Sequence, residues 1–296
     1  MNSSQIHHAL AKITQPLRDI WMSYPIWFYL LNARARSLFA SHPVELSPLQ
    51  RSIVERLRAD GIAVTSLEEL APGKLAELQA YAATLSPIEK GGKKDFILEY
   101  WDAEPTLSLR NPFVEFSLSS TVLDTVNAYM GMWSKFYYFM LGKTLPMGAA
   151  EARASQRWHR DYEEIQMCKM FIYLNDVTEA SGPFIYIKGS QRGGKWRRVF
   201  PPHPGIGTYP PDGALEKIIP ESEWTTYTGK AGTVVFADTT GLHRGGYGEQ
   251  GGRHMFTAGF NSPAAIGRKR YRLPKDANEL ASLTEGARFA LRGITF

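Results

Sequence analysis

Short β-prone runs fill the chain beyond Gly131, and they restrict its fold more than any other feature. The runs are rich in β-branched and aromatic residues, and clusters of Gly, Pro and Asn-Asp separate them. They span residues 135–141, 166–174, 184–187, 233–236 and 255–260. No helical pattern lies between these runs, whereas parallel strands need long and usually helical crossovers. The sequence therefore predicts an antiparallel sandwich or barrel.

Helical patterns dominate the first part of the chain. Ser47 and Gln50 have the spacing of a capping box with Pro48 at the first helical position, and Gly61 is placed to end that helix. The other predicted elements are a strand at 62–65 and helices at 74–85 and from Pro112 to Gly131. We therefore expect a mainly β protein with flanking helices.

Three regions are predicted along the chain. Residues 1–95 form an N-terminal helical support region packed on the core, residues 96–265 form the β core, and residues 266–296 form a C-terminal extension. Within the core, residues 189–229 carry six prolines and lack a clear period. Loops of this length inside compact domains tend to be functional lids or binding loops, although a plain surface insertion stays open.

The composition indicates which cellular compartment and which binding partners are favoured. Cys168 is the only cysteine, so no internal disulfide can form and a reducing, cytoplasmic location is favoured. The net charge is +5, but the basic residues fall in short clusters near 195–198 and 268–272. Solvated loops are therefore favoured over a nucleic-acid surface, although an anionic small substrate would also explain the clusters.

One apolar segment invites a membrane interpretation. It covers residues 20–31 and is interrupted by Pro25, so it is too short for the roughly 20 residues of a spanning helix. A buried or surface-docked helix is the favoured interpretation. An interfacial membrane anchor comes second and a cleaved signal peptide last.

His159-Arg160-Asp161 supplies two potential metal ligands. In an extended segment, positions i and i+2 point to the same side, so His159 and Asp161 can coordinate one ion together. About 0.7 such triplets are expected by chance in a chain of this composition, so the triplet alone decides nothing. The surrounding sequence therefore has to show whether the triplet belongs to a metal site.

The context forms a recognisable succession. The triplet is followed by a strand ending in YLND at 173–176, by SGP at 181–183 and by Gly-Ser at 189–190. Much later a strand leads to His243, and Arg253 follows ten residues beyond it. This succession resembles the phytanoyl-CoA dioxygenase family of iron(II)- and 2-oxoglutarate-dependent oxygenases over residues 112–263. The resemblance implies a double-stranded β-helix core, a jelly-roll of the cupin kind, and leaves the oligomeric state open.

The resemblance also implies roles for individual residues. His159, Asp161 and His243 match the iron ligands, and Arg253 matches the arginine that binds the distal carboxylate of 2-oxoglutarate. Two imidazoles and one carboxylate on one face leave three positions open, which suits Fe(II), 2-oxoglutarate and O2. The expected activity is the oxidation, most simply hydroxylation, of a small organic metabolite or natural-product intermediate.

Neighbouring strand positions extend this site. Alternation places Lys169, Phe171 and Tyr173 on one side of their strand and Cys168 on the other. By the family pattern the first set faces the cavity, with Phe171 near 2-oxoglutarate and Lys169 a candidate carboxylate partner. Thr257 lies four residues after Arg253 on the same strand and is a candidate for the same carboxylate.

Two positions depart from the family pattern. Gly245 stands two residues after the second histidine, where members often carry a small hydroxyl residue that helps to hold 2-oxoglutarate. Gln191 stands where many members have a histidine after the Gly-Ser turn. Asp161 is present, whereas halogenating relatives lose this carboxylate, so hydrogen abstraction without halogenation is favoured.

Two alternatives stay open. The first is a cupin-type metalloenzyme that does not use 2-oxoglutarate, in which Arg253 would have no carboxylate to bind. A catalytically silent, small-molecule-binding member would be expected to lose a metal ligand, and this chain keeps all three. Substrate selectivity is expected to lie in the 189–229 insertion. Its candidate residues are Trp196, Arg197, Arg198, Tyr209 and Trp224.

Overall fold

Two antiparallel sheets face each other, and helices cover the far side of the larger one. The computed structural model describes residues 20, 23–88, 96–146, 154–202, 208–266, 269–274 and 277–292. The strands are β1 (Ile62–Ser66), β2 (Ile97–Glu99), β3 (Lys135–Thr144), β4 (Cys168–Tyr173), β5 (Phe184–Ile187), β6 (Trp224–Tyr227), β7 (Thr233–Ala237), β8 (His243–Gly245) and β9 (Arg253–Asn261). The α-helices are α1 (Ala33–Ser41), α2 (Pro48–Asp60), α3 (Leu67–Leu70), α4 (Lys74–Ala83), α5 (Pro112–Ser117), α6 (Ser120–Met130) and α7 (Glu285–Leu291).

The strand order follows from antiparallel pairing throughout. The large sheet has the order β1-β7-β4-β9-β3-β2, and the small sheet has the order β6-β5-β8. In the large sheet Phe171 of β4 lies opposite Thr257 of β9 and Val235 of β7. In the small sheet Tyr186 of β5 lies opposite His243 of β8. The predicted antiparallel sandwich is confirmed.

The two faces of β4 belong to different layers, as its alternation predicted. Cys168, Met170 and Ile172 join the main hydrophobic cluster together with the helices. Phe171 faces the small sheet instead, where its ring centroid lies 4.9 Å from that of Phe184. Helices on one side of the large sheet thus leave the space between the two sheets for a site.

Helix α2 begins and ends as the sequence indicates. Ser47 and Gln50 form the reciprocal capping box, and Gly61 ends the helix in the left-handed region with φ of +80°. A Cβ at Gly61 would lie 2.3 Å from the hydroxyl oxygen of Tyr186. Both the backbone conformation and the close approach of β5 therefore require glycine here.

The helix predicted from Pro112 to Gly131 is two helices. The chain leaves helical geometry between α5 and α6, where Ser119 is extended with ψ of 155° and acts as the N-cap residue of α6. Gly131 ends α6 in the left-handed region, as predicted. Strands β2, β6 and β8 were not predicted, and β6 lies inside the 189–229 insertion.

The apolar segment near the N-terminus docks on the surface of the core. Residues Ile26–Leu31 form a π-helix in which Trp27 is fully buried and donates from Nε1 to Ser262 Oγ at 3.1 Å. Tyr29 and Leu30, in contrast, are 61% and 68% exposed. Within the described ranges, no helix has the length and apolar character needed to cross a membrane.

The region before residue 95 is not purely helical. Its strand β1 is hydrogen-bonded to β7 from Ile62 to Ser66 and forms one edge of the large sheet. The division of the chain into three regions stays a prediction. Residues 1–19, 21–22 and 89–95 of the first region lie outside the described residues.

Candidate metal centre

A short backbone pairing brings the two histidines side by side. The amide of His159 donates to the carbonyl of His243 at 3.0 Å, and the amide of His243 donates to the carbonyl of His159 at 3.0 Å. Residues paired in this way carry their side chains on the same face. The two imidazole centroids are accordingly 4.1 Å apart.

Asp161 completes the group from two residues further along the same segment. Its amide donates to the carbonyl of Thr239 at 2.9 Å, which fixes the segment beside the loop before β8. Asp161 Oδ1 lies 4.0 Å from His159 Nε2, and Asp161 Oδ2 lies 3.8 Å from His243 Nε2. The three candidate ligand atoms all lie within 4.8 Å of one another. The structure therefore brings the three predicted ligands together.

Hydrogen bonds at Nδ1 determine which ring nitrogen of each histidine carries the proton. His159 Nδ1 lies 2.9 Å from the carbonyl oxygen of Arg157, and His243 Nδ1 lies 2.9 Å from that of Gly241. Since a carbonyl only accepts, Nδ1 carries the proton and Nε2 keeps its lone pair. Two imidazole nitrogens and one carboxylate form a donor set that fits Fe(II) with positions left open.

Lys169 makes an ion pair with the carboxylate of this group. Its ammonium is buried on β4 and contacts Asp161 Oδ2. Burial alone raises the pKa of Asp161, but Lys169 and the two imidazoles hold it well below its usual range. Burial, together with the charge of His159, lowers the pKa of His243 to about 3. At neutral pH Asp161 is therefore ionised and His243 neutral, which are the forms that bind a metal ion.

Arg253 and Thr257 offer hydrogen-bonding atoms without protein partners. Arg253 is 8% exposed, and within the described part of the chain its Nε and Nη1 have no acceptor. Thr257 is 2% exposed, and its hydroxyl likewise has no partner among the described residues. Buried donors left unpaired are costly, so these atoms fit a carboxylate-bearing ligand between the sheets. Phe171 lies directly opposite Thr257 and forms a wall of that space.

Gly245 leaves room beside this arginine. A Cβ at Gly245 would lie 3.7 Å from Arg253 Nη2 and 3.7 Å from the carbonyl oxygen of Ser155, which is ordinary contact. The hydroxyl residue of the family pattern would therefore fit here. Its absence removes one candidate contact to a bound carboxylate.

A cavity of about 440 Å³ opens beside the metal group. The ring of Tyr209, from the 189–229 insertion, stacks on His159 with centroids 5.5 Å apart and an interplanar angle of 14°. Glu163 lies on another wall and accepts from Arg270 Nη2 at 3.0 Å. The sequence placed Tyr209 among the selectivity candidates but gave Glu163 and Arg270 no role in the site.

Arg160, between the two ligands of the triplet, was also missed. It is 1% exposed, and its guanidinium points away from the metal group. It donates to five backbone carbonyls, those of Ser190, Trp196, Val199, Phe200 and Thr240, at 2.6 to 3.3 Å. Burial lowers its pKa to about 10. Arg160 thus ties the start of the insertion and the loop before His243 to the segment that carries the other ligands.

Gln191, the second departure from the family pattern, has a structural contact outside the metal group. Its Nε2 donates to the carbonyls of Arg58 and Ala59 at the end of α2, at 3.3 and 3.2 Å. The residue therefore attaches the insertion to the helical layer.

Comparison with known families settles the relationship. A family model described as Phytanoyl-CoA dioxygenase (PhyH) matches residues 70–254. The chain belongs to the phytanoyl-CoA dioxygenase family. The match covers both histidines, Asp161 and Arg253, while β1 lies before it and β9 lies beyond it after His254. No curated protein sequence matches the chain.

Solved structures agree with this PhyH assignment at the level of the fold. EctD from S. alaskensis with bound Fe superimposes with a TM-score of 0.52 at 17% identity, covering 76% of this chain and 80% of that chain. EctD with 2-oxoglutarate and 5-hydroxyectoine gives a TM-score of 0.51 at 18% identity, with coverages of 84% and 88%. The epimerase SnoN, in complex with Fe3+, alpha ketoglutarate and nogalamycin RO, gives 0.51 at 15% identity, with coverages of 80% and 91%.

The fold and the reaction class expected from the sequence are confirmed. The core is the double-stranded β-helix of the PhyH family, and the chain is an iron(II)- and 2-oxoglutarate-dependent oxygenase. The cofactors of this class are iron and 2-oxoglutarate, with O2 as oxidant.

Proposed function

We propose that this PhyH protein holds Fe(II) through His159, Asp161 and His243, and hydroxylates a small organic molecule in the adjoining cavity. The observation that carries the proposal is the position of three donor atoms within 4.8 Å of one another. They lie in the same inter-sheet space as a buried arginine with unpartnered N–H groups. Nitrogen and oxygen ligands bind such ions at about 2.0–2.2 Å, a distance that small side-chain movements reach.

Different residues bind the ion and the co-substrate in this proposal. When bound, Fe(II) and 2-oxoglutarate supply an oxidant from O2, with succinate and carbon dioxide as by-products. Arg253 binds the distal carboxylate through its planar guanidinium, and the hydroxyl of Thr257 donates to the same group. Phe171 excludes water from the apolar middle of the co-substrate.

Lys169 has a positioning role in this proposal. Because its ammonium holds Asp161 Oδ2, the other carboxylate oxygen is left to bind the ion. A carboxylate that binds through one oxygen keeps one more coordination position open than a carboxylate that binds through two. The role of Lys169 as a direct partner of 2-oxoglutarate, expected from the sequence, stays a prediction.

The substrate is proposed from the dimensions and lining of the cavity. Its volume of about 440 Å³ falls in the range of small-molecule sites. Tyr209 borders the cavity directly over His159, so the 189–229 insertion contributes to selectivity. The single cysteine and the need to keep iron ferrous support a reducing, cytoplasmic location as part of the proposal.

The alternative without 2-oxoglutarate is less well supported. Arg253 is buried, and two of its three nitrogens have no acceptor among the described residues. A metalloenzyme that uses no dicarboxylate would leave this charge without compensation.

The test is anaerobic addition of Fe(II) and 2-oxoglutarate, with observation of the weak visible charge-transfer band of the chelate. We expect the band in the native protein and its loss in His159→Ala. His254→Ala is the matched control, because His254 stacks on Tyr100 with centroids 5.0 Å apart, away from the metal group. A native protein that binds Fe(II) but shows neither the band nor succinate release with any substrate panel would overturn the proposal.

A further inference from the structure

A second cavity lies on the opposite side of the strands that carry the two histidines. Trp158 precedes His159 and Arg244 follows His243, so strand alternation directs both side chains away from the metal group. They line a cavity of about 400 Å³. Its other walls include Tyr247 and residues 210–213 of the insertion. We call this space the outer cavity, and the space beside the metal group the inner cavity.

Three aromatic rings surround the guanidinium of Arg244. Its guanidinium carbon lies 4.9 Å from the ring centroid of Trp158, 5.4 Å from that of Trp224 and 5.8 Å from that of Tyr247. Its Nε is buried without a hydrogen-bond partner, and no carboxylate of the described residues pairs with it. Cation–π contacts orient a guanidinium but leave its N–H groups free to donate.

Two neighbouring N–H donors also lack acceptors among the described residues. Arg157 Nε and Trp158 Nε1 are buried without acceptors in the described part of the chain. Two carboxylates line the outer cavity and both are exposed: Asp212 is 88% exposed and already pairs with Arg157 at 3.0 Å, and Glu216 is exposed as well. The interior therefore has an excess of N–H donors over acceptors, which a ligand with negatively charged oxygens would balance.

We propose that the outer cavity binds a small molecule with a carboxylate or phosphate group, and that Arg244 is its main contact. Leu215, Pro210 and Pro211 line the same space and provide apolar surface for the body of the molecule. The small sheet separates this site from the inner cavity. The site is therefore distinct from that of 2-oxoglutarate.

The proposal is tested on the iron-free, full-length chain with inorganic phosphate as the probe. Calorimetry gives the affinity, and tryptophan fluorescence reports the location because Trp158 and Trp224 adjoin Arg244. We expect Arg244→Gln to weaken phosphate binding about tenfold or more, through loss of a charge-assisted contact. A parallel titration with benzoate distinguishes a carboxylate ligand from a phosphate ligand.

Three variants make the result decisive. Arg253→Gln removes the arginine proposed to bind 2-oxoglutarate and is expected to keep phosphate binding, as is Arg272→Gln at an exposed position. Arg244→Lys keeps the charge and is expected to bind with intermediate affinity, with circular dichroism verifying the fold. The inference is overturned if the native chain binds neither probe or if Arg244→Gln binds both like the native chain. Loss of binding in Arg253→Gln alone overturns it too. None of these results depends on the iron chelate, so they are separate from the test of the oxygenase function.

Discussion

The two faces of the histidine-bearing strands use charged side chains in different ways. On the inner face Asp161 and Lys169 compensate each other beside the two imidazoles. On the outer face Arg160 is compensated by backbone carbonyls, while Arg244 is surrounded by rings. The same stretch of backbone thus carries a group of mutually compensated charges on its inner face and two differently held arginines on its outer face.

Three arginines sharpen the contrast. Arg160 donates to five backbone carbonyls, so hydrogen bonds within the protein compensate its charge. Arg253 and Arg244 each have buried N–H groups without acceptors among the described residues. Burial alone does not distinguish a structural arginine from a ligand-binding one. The acceptors around each guanidinium are the ground on which we assign Arg160 a structural role and propose that Arg253 and Arg244 bind ligands.

The largest effect is expected on the inner face. His243→Ala removes one of the three proposed ion ligands and should abolish the Fe(II)–2-oxoglutarate charge-transfer band. Phosphate binding to the outer cavity should persist, because Arg244 remains. Spectroscopy and calorimetry on one preparation measure both. A retained band would remove His243 from the ligand set.

On the outer face, Arg160→Met should act on stability. The change removes the guanidinium donor of five backbone carbonyls, although the carbonyl of Trp196 also accepts from the amide of Val199. We expect the free energy of unfolding to fall by about 3 kcal/mol or more. Urea denaturation followed by circular dichroism measures it. Arg198→Met, at an exposed position, is the control and should change little. Equal stability of the two variants would contradict the structural role of Arg160.

Arg253→Gln should weaken 2-oxoglutarate binding about 10- to 100-fold through loss of a charge-assisted pair. Fe(II) affinity should stay close to the native value, because Arg253 does not belong to the ligand group. Titration of the chelate band with 2-oxoglutarate gives the first quantity, and metal binding without 2-oxoglutarate gives the second. A parallel loss of both would show that the variant disturbs the metal group as well as the co-substrate contacts.

Lys169→Met should make metal binding sensitive to mild acid. Lys169 holds the pKa of Asp161 low against burial, so its removal raises that pKa and lets protons compete with the ion. We expect affinity for Fe(II) to fall by about threefold or more between neutral pH and pH of about 5.5, and to fall less in the native protein. Identical pH profiles would indicate that Lys169 does not control the ionisation of Asp161.

The smallest change is expected from Gly245→Ser. The new hydroxyl would lie close to Arg253 and donate to the same carboxylate, so 2-oxoglutarate should bind about two- to fivefold more tightly. Gly246→Ser is the contrasting variant, because a Cβ there would lie 2.9 Å from the carbonyl oxygen of Pro183. Weaker binding in Gly245→Ser would show that the co-substrate lies elsewhere.

The sequence predicted those parts whose structure is determined locally. Helix α2 carries its own capping box and terminal glycine, and β4 shows the alternation that separates Lys169 from Cys168. The sequence did not predict the break between α5 and α6 at Ser119, because the apolar pattern continues across it. Strands β6 and β8 are only four and three residues long, and they are strands because β5 pairs with both.

The site was predictable to the extent that motif spacing encodes it. His159 and Asp161 are two residues apart and His243 and Arg253 are ten residues apart, and both intervals belong to the motif. The structure places the two histidines and Asp161 together. The partner of Lys169 was not predictable, because eight residues along the chain give no distance in space. Arg160 offered one usable signal: a residue between two inward-facing ligands has to face outward.

The burial of Cys168 has a practical consequence. The only thiol of the chain is fully buried against the helices, and burial raises its pKa, so it is unreactive towards labelling reagents. A single cysteine introduced at Asp212, on the rim of the outer cavity, would therefore take up a fluorophore selectively. Occupancy of that cavity could then be followed optically without replacing the native cysteine.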